Sequence, residues 1–116
     1  MKFCHIAPVP HLDLVRHQQT HLTLAHIAET DEDYCRFYAG LPSGTVNIMD
    51  NSGFEMYKAG LPNFPPEALI PLANKVNADY IVIPDYPDMP SLVGIDDARR
   101  YAPAFKEAGF GTFFVP

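Results

Sequence analysis

The sequence predicts an α/β domain built on a parallel sheet, and three observations lead there. Four short apolar runs recur along the chain, at 3–7 (FCHIA), 45–49 (TVNIM), 80–83 (YIVI) and 112–115 (TFFV). Stretches with helical spacing separate them. The runs are nearly continuous instead of alternating, as expected of strands covered on both faces of a parallel sheet. At 116 residues, 47% hydrophobic and 19% charged, the chain is large enough to bury one core and reads as a single domain, 1–116.

Taken in order, residues 3–7 form the first expected strand. THLTLAHIAE (20–29) places Leu24, Ile27 and Ala28 on one face and predicts a helix. DEDYCRFYAG (31–40) offers Asp31 as an N-cap, Tyr34, Phe37 and Tyr38 at i, i+3 and i+4, and Gly40 as a stop. At that spacing the three aromatics belong in the core, not on a stacking platform for single strands. The second strand, 45–49, leads into DNSGFE (50–55), read as a loop. PPEALIPLANKVNA (65–78) begins with prolines in a first turn, and Pro71 predicts a kink or a late start. After the strand at 80–83, IDDARRYAPAFKEAG (95–109) carries Ala98, Tyr101, Ala102 and Phe105 on one stripe, with Pro103 as its weak point and Gly109 at its end. The last three runs are rich in β-branched or aromatic residues. Crossovers of this length join parallel neighbours in a right-handed sense. The C-terminal strand ends then share one face, the one that carries ligands in barrels and doubly wound sheets.

Composition narrows the function. The net charge is −6 and the eight Lys and Arg residues are scattered, so the chain has no broad phosphate-binding face. A nucleic-acid substrate would need basic surface from another chain. Cys4 and Cys35 are too few and too far apart for a disulfide framework or a zinc site, and read as reduced, mostly buried thiols. No apolar run has the length of a bilayer span, and MKFCHIAPVPH lacks the pattern of a signal peptide, so cytoplasmic residence without membrane contact is expected. His17 and His21 stand four apart, a spacing that could hold a metal on a helix, but no carboxylate at the right helical position completes the set, and no metal or cofactor is expected.

Three segments leave strand ends with polar residues: PVPHLD (8–13), DNSGFE (50–55) and PDYPDM (84–89). If the strands before Asp50 and Asp85 are neighbours, these aspartates lie roughly 5 Å apart across the ladder. Two such carboxylates repel, which raises the pKa of one and suits it to proton transfer. Gly53 lets a ligand approach the backbone, and Phe54 or Tyr86 can stack on a flat ring. A carboxylate also accepts two parallel N–H donors, as on the edge of guanine. Two other readings stay open. D-N-S-G is ordinary turn chemistry and P-D-Y-P an ordinary loop. Asp50, Asp85 and Asp88 could instead hold Mg²⁺ in a phosphoryl-transfer enzyme, although no phosphate-binding glycine loop or nearby lysine accompanies them.

These residues resemble the tRNA-guanine transglycosylase superfamily, most closely its DNA-modifying branch that inserts 7-deazaguanines, the bases of queuosine and archaeosine chemistry. DNSGFE is similar to the family's D-N-G-x-F-E variant of a D-S-G-G-F-Q stretch. IAPVPHLDLV, LTLAHIAETDEDYCRFYAG and ADYIVIPDYPDM resemble the same branch in order and spacing. The resemblance implies half of a (β/α)8 TIM-type barrel, a fold of about 250 residues when whole. By position, it implies Asp50 for base binding and proton transfer, and Phe54 for packing near the base. Asp85 would read the guanine edge, Asn51, Ser52 and Gly53 would line the base, and His11 and Asp13 would support it. Ser52 replaces a frequent glycine, and Glu55 a frequent glutamine. The family's nucleophilic aspartate and zinc site belong to the later half of the barrel, so base exchange is expected only with a completing half. Four strands would leave open edges, and association is expected: a homodimer, a complex with a second half-barrel chain, or a non-catalytic interaction subunit. DNA or tRNA would be met through that partner.

Overall fold

The computed structural model describes residues 3–84 and 91–115. Its centre is a sheet of four parallel strands, β1 (Thr20–Leu24), β2 (Val46–Asp50), β3 (Tyr80–Val82) and β4 (Gly111–Phe113), in the spatial order β1-β2-β3-β4. Five helices connect them: α1 (Ala25–Thr30), α2 (Glu32–Ala39), α3 (Gly53–Lys58), α4 (Pro66–Lys75) and α5 (Ser91–Glu107). The predicted α/β class and all-parallel sheet are present. A doubly wound sheet reverses its strand order at a switch point. This one keeps sequence order across all four strands, which is compatible with half of a barrel wall.

The first strand is not where the apolar runs put it. Residues 20–24 are extended, and the predicted helix begins only at Ala25. The run at 3–7 makes a single parallel bridge, His5 to His21, from which the chain enters a 3-10 segment, Val9–Val15. His5 donates its N–H to the Thr20 carbonyl at 3.1 Å and accepts from Leu22 N–H at 3.0 Å, so this run is a partial fifth member at the β1 edge. T-H-L-T-L alternates, but with the polar residues inside: His21 and Thr23 are wholly buried, Leu22 and Leu24 only partly.

Register explains that inversion. His21 pairs with Asn47 and Thr23 with Met49, and Met49 pairs with Ile81, so these side chains share one face. The helical layer covers it: Met49 and Ile81 join Ala28, Tyr34, Leu69, Val76 and Phe105 in the core. The other face carries Leu22, Ile48, Tyr80 and Gly111 in one row, and Leu24, Asp50, Val82 and Phe113 in the row nearer the C-terminal ends. Much of this second face is open, with Tyr80 37% and Phe113 45% exposed.

The helices follow local chemistry. Asp31 caps α2 by accepting the Tyr34 N–H at 2.9 Å, and Gly40 ends it. Tyr34 and Tyr38 are buried as predicted and meet edge to face at 4.9 Å. The Tyr34 hydroxyl accepts the Leu24 N–H at 2.9 Å, tying α2 to the end of β1. Pro71 and Pro103 both lie inside helices: α4 begins at Pro66, so Pro71 does not delay its start, and α5 begins at Ser91, before the expected 95. DNSGFE is not all loop, because Asp50 closes β2 and Gly53 opens α3. Cys35 is buried and donates to the Ala28 carbonyl, whereas Cys4 is exposed, against the expectation of two buried thiols.

His17 and His21 do not share a helix. His17 is exposed in a loop, and His21 sits inside β1 with Nε2 against the Gln18 carbonyl at 2.9 Å. That carbonyl can only accept, so Nε2 carries the proton, and Nδ1 is buried without a partner among the described residues. Burial lowers the His21 pKa, the Gln18 bond opposes this, and nearby His5 lowers it further. The unfolded chain therefore takes a proton near pH 6.5 that the folded chain refuses. Stability is complete above that pH and falls as pH drops through it, levelling below the depressed folded value, with a slope of at most about 1.4 kcal/mol per pH unit. Urea unfolding between pH 7.5 and 5 is expected to show this loss, and His21→Leu to flatten it. Equal slopes for both proteins would refute the assignment.

Candidate functional site at the C-terminal rim of the sheet

Asp50 is the last residue of β2 and stands in the outer row of the open face, level with Leu24 and, by continuation of the register, with Val82. It is half-buried, and its Oδ2 accepts the Ser52 N–H at 2.9 Å. That bond is an Asx-type turn, which reverses the chain at the strand end and fixes the carboxylate.

The next three residues lie beneath the rim. Asn51 is buried; its Nδ2 donates to the Val82 carbonyl at 3.2 Å and its Oδ1 accepts the Gly53 N–H at 2.7 Å. The amide thus joins the ends of β2 and β3 and satisfies the first N–H of α3. Ser52 is wholly buried in the left-handed region, φ 58° and ψ 28°, a conformation unfavourable to a residue with a Cβ. Its Oγ accepts the His26 backbone N–H at 3.0 Å and lies 2.8 Å from His26 Nδ1. Gly53 is buried at the start of α3.

Phe54 is 60% exposed, with the Lys58 ammonium 5.3 Å from its ring centre, so one ring face is occupied by a cation. Glu55 has one carboxylate oxygen buried without a partner among the described residues. His11 is exposed in the 3-10 segment, and Asp13 forms an exposed ion pair with Arg16 at 2.8 Å. Asp85, Tyr86 and Asp88 lie outside the described residues, and with them the spacing of Asp85 from Asp50. Among the described residues no cluster of three His, Cys, Asp or Glu has the geometry of a metal site. No helix there is long and apolar enough to cross a membrane.

Of the predicted residues, the structure gathers Asp50, Asn51, Ser52 and Gly53 into one network, with Phe54 just beyond. It adds His26, which enters the network only because Ser52, 26 positions later, folds back onto the end of β1. Spacing along the chain carries no signal for that pairing. A cleft of about 350 Å³ lined by Arg16, His17, Gln18, Gln19 and the 42–45 loop lies at the opposite, N-terminal ends of β1 and β2. Arg16 is already committed there to Asp13 and to the face of Phe37. No protein-family model matches this chain, and no curated protein matches it either.

Proposed function

We propose that this chain is the base-recognition half of a transglycosylase-like protein, binding guanine or a 7-deazaguanine at the C-terminal rim of its sheet. One observation supports this above the others. Asp50 stands in the outermost row of the face that the helices leave uncovered, at the strand ends where barrels hold their ligands. The Ser52 N–H fixes this carboxylate, and a carboxylate is the side chain that accepts N–H donors on the edge of a flat heterocycle. On the same face Phe113, in the row of Asp50, and Tyr80, in the row below, lie 5.2 Å apart and form an apolar surface. In this reading Asp85 supplies the second acceptor and Phe54 the stacking ring. The nucleophile for base exchange comes from the strands that complete the open face.

Those completing strands come from a second segment or chain. The bridge at His5 makes five parallel segments with β1 to β4, so an eight-membered ring needs only three more. Two copies would supply ten, which favours a complementary partner over a homodimer. Calorimetry with guanine and 7-deazaguanine bases, on material whose assembly has been defined by sedimentation, tests the reading. Binding is expected, and Asp50→Asn is expected to weaken it by roughly 10- to 100-fold, the worth of a charge-assisted bond. Folded protein that takes up no such base would refute it.

A further inference from the structure

We propose that His26 is a ligand-contacting residue of the rim site, held by Ser52 as the tautomer with its proton on Nε2 and reading the base's carbonyl oxygen. The inference rests on the base-binding reading and adds to it a residue, a protonation state and a specificity.

The protonation state follows from counting hydrogens. Ser52 Oγ accepts the His26 backbone N–H, a group that can only donate. The same oxygen lies 2.8 Å from His26 Nδ1. Ser52 is wholly buried, and among the described residues its hydroxyl proton has no other acceptor. If Nδ1 carried the proton, Oγ would accept twice and its own hydrogen would be stranded in the interior, the costlier state. The hydroxyl therefore donates to Nδ1, and a neutral ring that accepts at Nδ1 carries its proton at Nε2. The ring is half-buried, and among the described residues Nε2 has no hydrogen-bond partner.

The same serine fixes Asp50. Its N–H donates to Oδ2 while its Oγ reaches His26, so one left-handed residue sets an acceptor on β2 beside a donor just past β1. Strain at a non-glycine residue persists where its surroundings over-determine it, and here both ends of Ser52 are held. A serine between a strand and a helix at positive φ also fits the outline of a nucleophile elbow. Ser52 does not have that role, because its oxygen is fully buried and already accepts a backbone N–H. It is a positioning residue.

An imidazole N–H donor at this position matches a base edge that offers a carbonyl oxygen. Guanine presents O6, N1–H and the exocyclic amine in that order, and adenine does not. In this pose Nε2–H donates to the base's carbonyl oxygen.

Two measurements test the proposal. Long-range ¹H–¹⁵N spectra of the free protein are expected to show His26 Nδ1 at the unprotonated position and Nε2 protonated, with Ser52→Ala giving mixed tautomers. A proton on Nδ1 would overturn the assignment whether or not any base binds. His26→Phe, checked for folding by thermal melting, is expected to lose guanine affinity by roughly tenfold or more, the worth of one hydrogen bond. Unchanged affinity in His26→Phe would overturn the inference and leave base binding intact. No guanine binding by the unsubstituted protein would overturn both.

Discussion

Asn51→Ala is expected to lower the unfolding free energy by about 2–4 kcal/mol, because it strands two buried backbone groups at once. The Gly53 N–H loses its 2.7 Å acceptor and the Val82 carbonyl its 3.2 Å donor. Asn51→Asp is no remedy. It keeps an acceptor for Gly53 but sets a carboxylate against a carbonyl. The same variant loosens the turn that holds Asp50 and Ser52, so base binding is expected to fall with stability. Urea unfolding checks the first effect. A change under about 0.5 kcal/mol, the size of an ordinary surface substitution, would mean the amide is not the tie described.

The second large effect belongs to Asn47, at the other end of the same strand. Asn47 is buried, donates to the Val76 carbonyl at 2.9 Å and accepts from Thr23 Oγ1 at 3.1 Å. It therefore ties β2 both to β1 and to the end of α4. Asn47→Ala is expected to cost about 2–4 kcal/mol, most of it from the orphaned Val76 carbonyl and the space left behind. Thr23 loses less, since its hydroxyl also reaches the Ile48 carbonyl at 3.4 Å. Four residues of extended chain separate the two asparagines by about 13 Å, so their effects should add to within about 0.5 kcal/mol in a double variant. Strong non-additivity would indicate that the rim and the strand's lower end unfold as one coupled unit.

These asparagines also mark the limits of what could be read in advance. β2, β3 and β4 were legible because β-branched and aromatic residues cluster in them, and α2 because Asp31 and Gly40 bracket a helical stripe. β1 was not. Its leucines fall on the open face and its polar residues on the covered one, so hydrophobic spacing pointed to a helix. Asn47 sat unnoticed inside an apolar run, since a buried amide is recognisable only by the carbonyl it meets, and Val76 is 29 positions away. α3 has six residues, too few for a periodic signal. Asp50 at a strand end was legible from the break after an apolar run. His26 was not, because its place depends on a long-range contact.

Gly111 has a further bearing on the open face. A Cβ built there would come within 2.3 Å of the Tyr80 ring, so the glycine lets that ring lie flat across β4. One aromatic thus occupies the width of two neighbouring strands in its row. The thickness of that ring then sets how far the open face projects at this level. An added methyl at position 111 would lift the tyrosine off the sheet and thicken the uncovered face there.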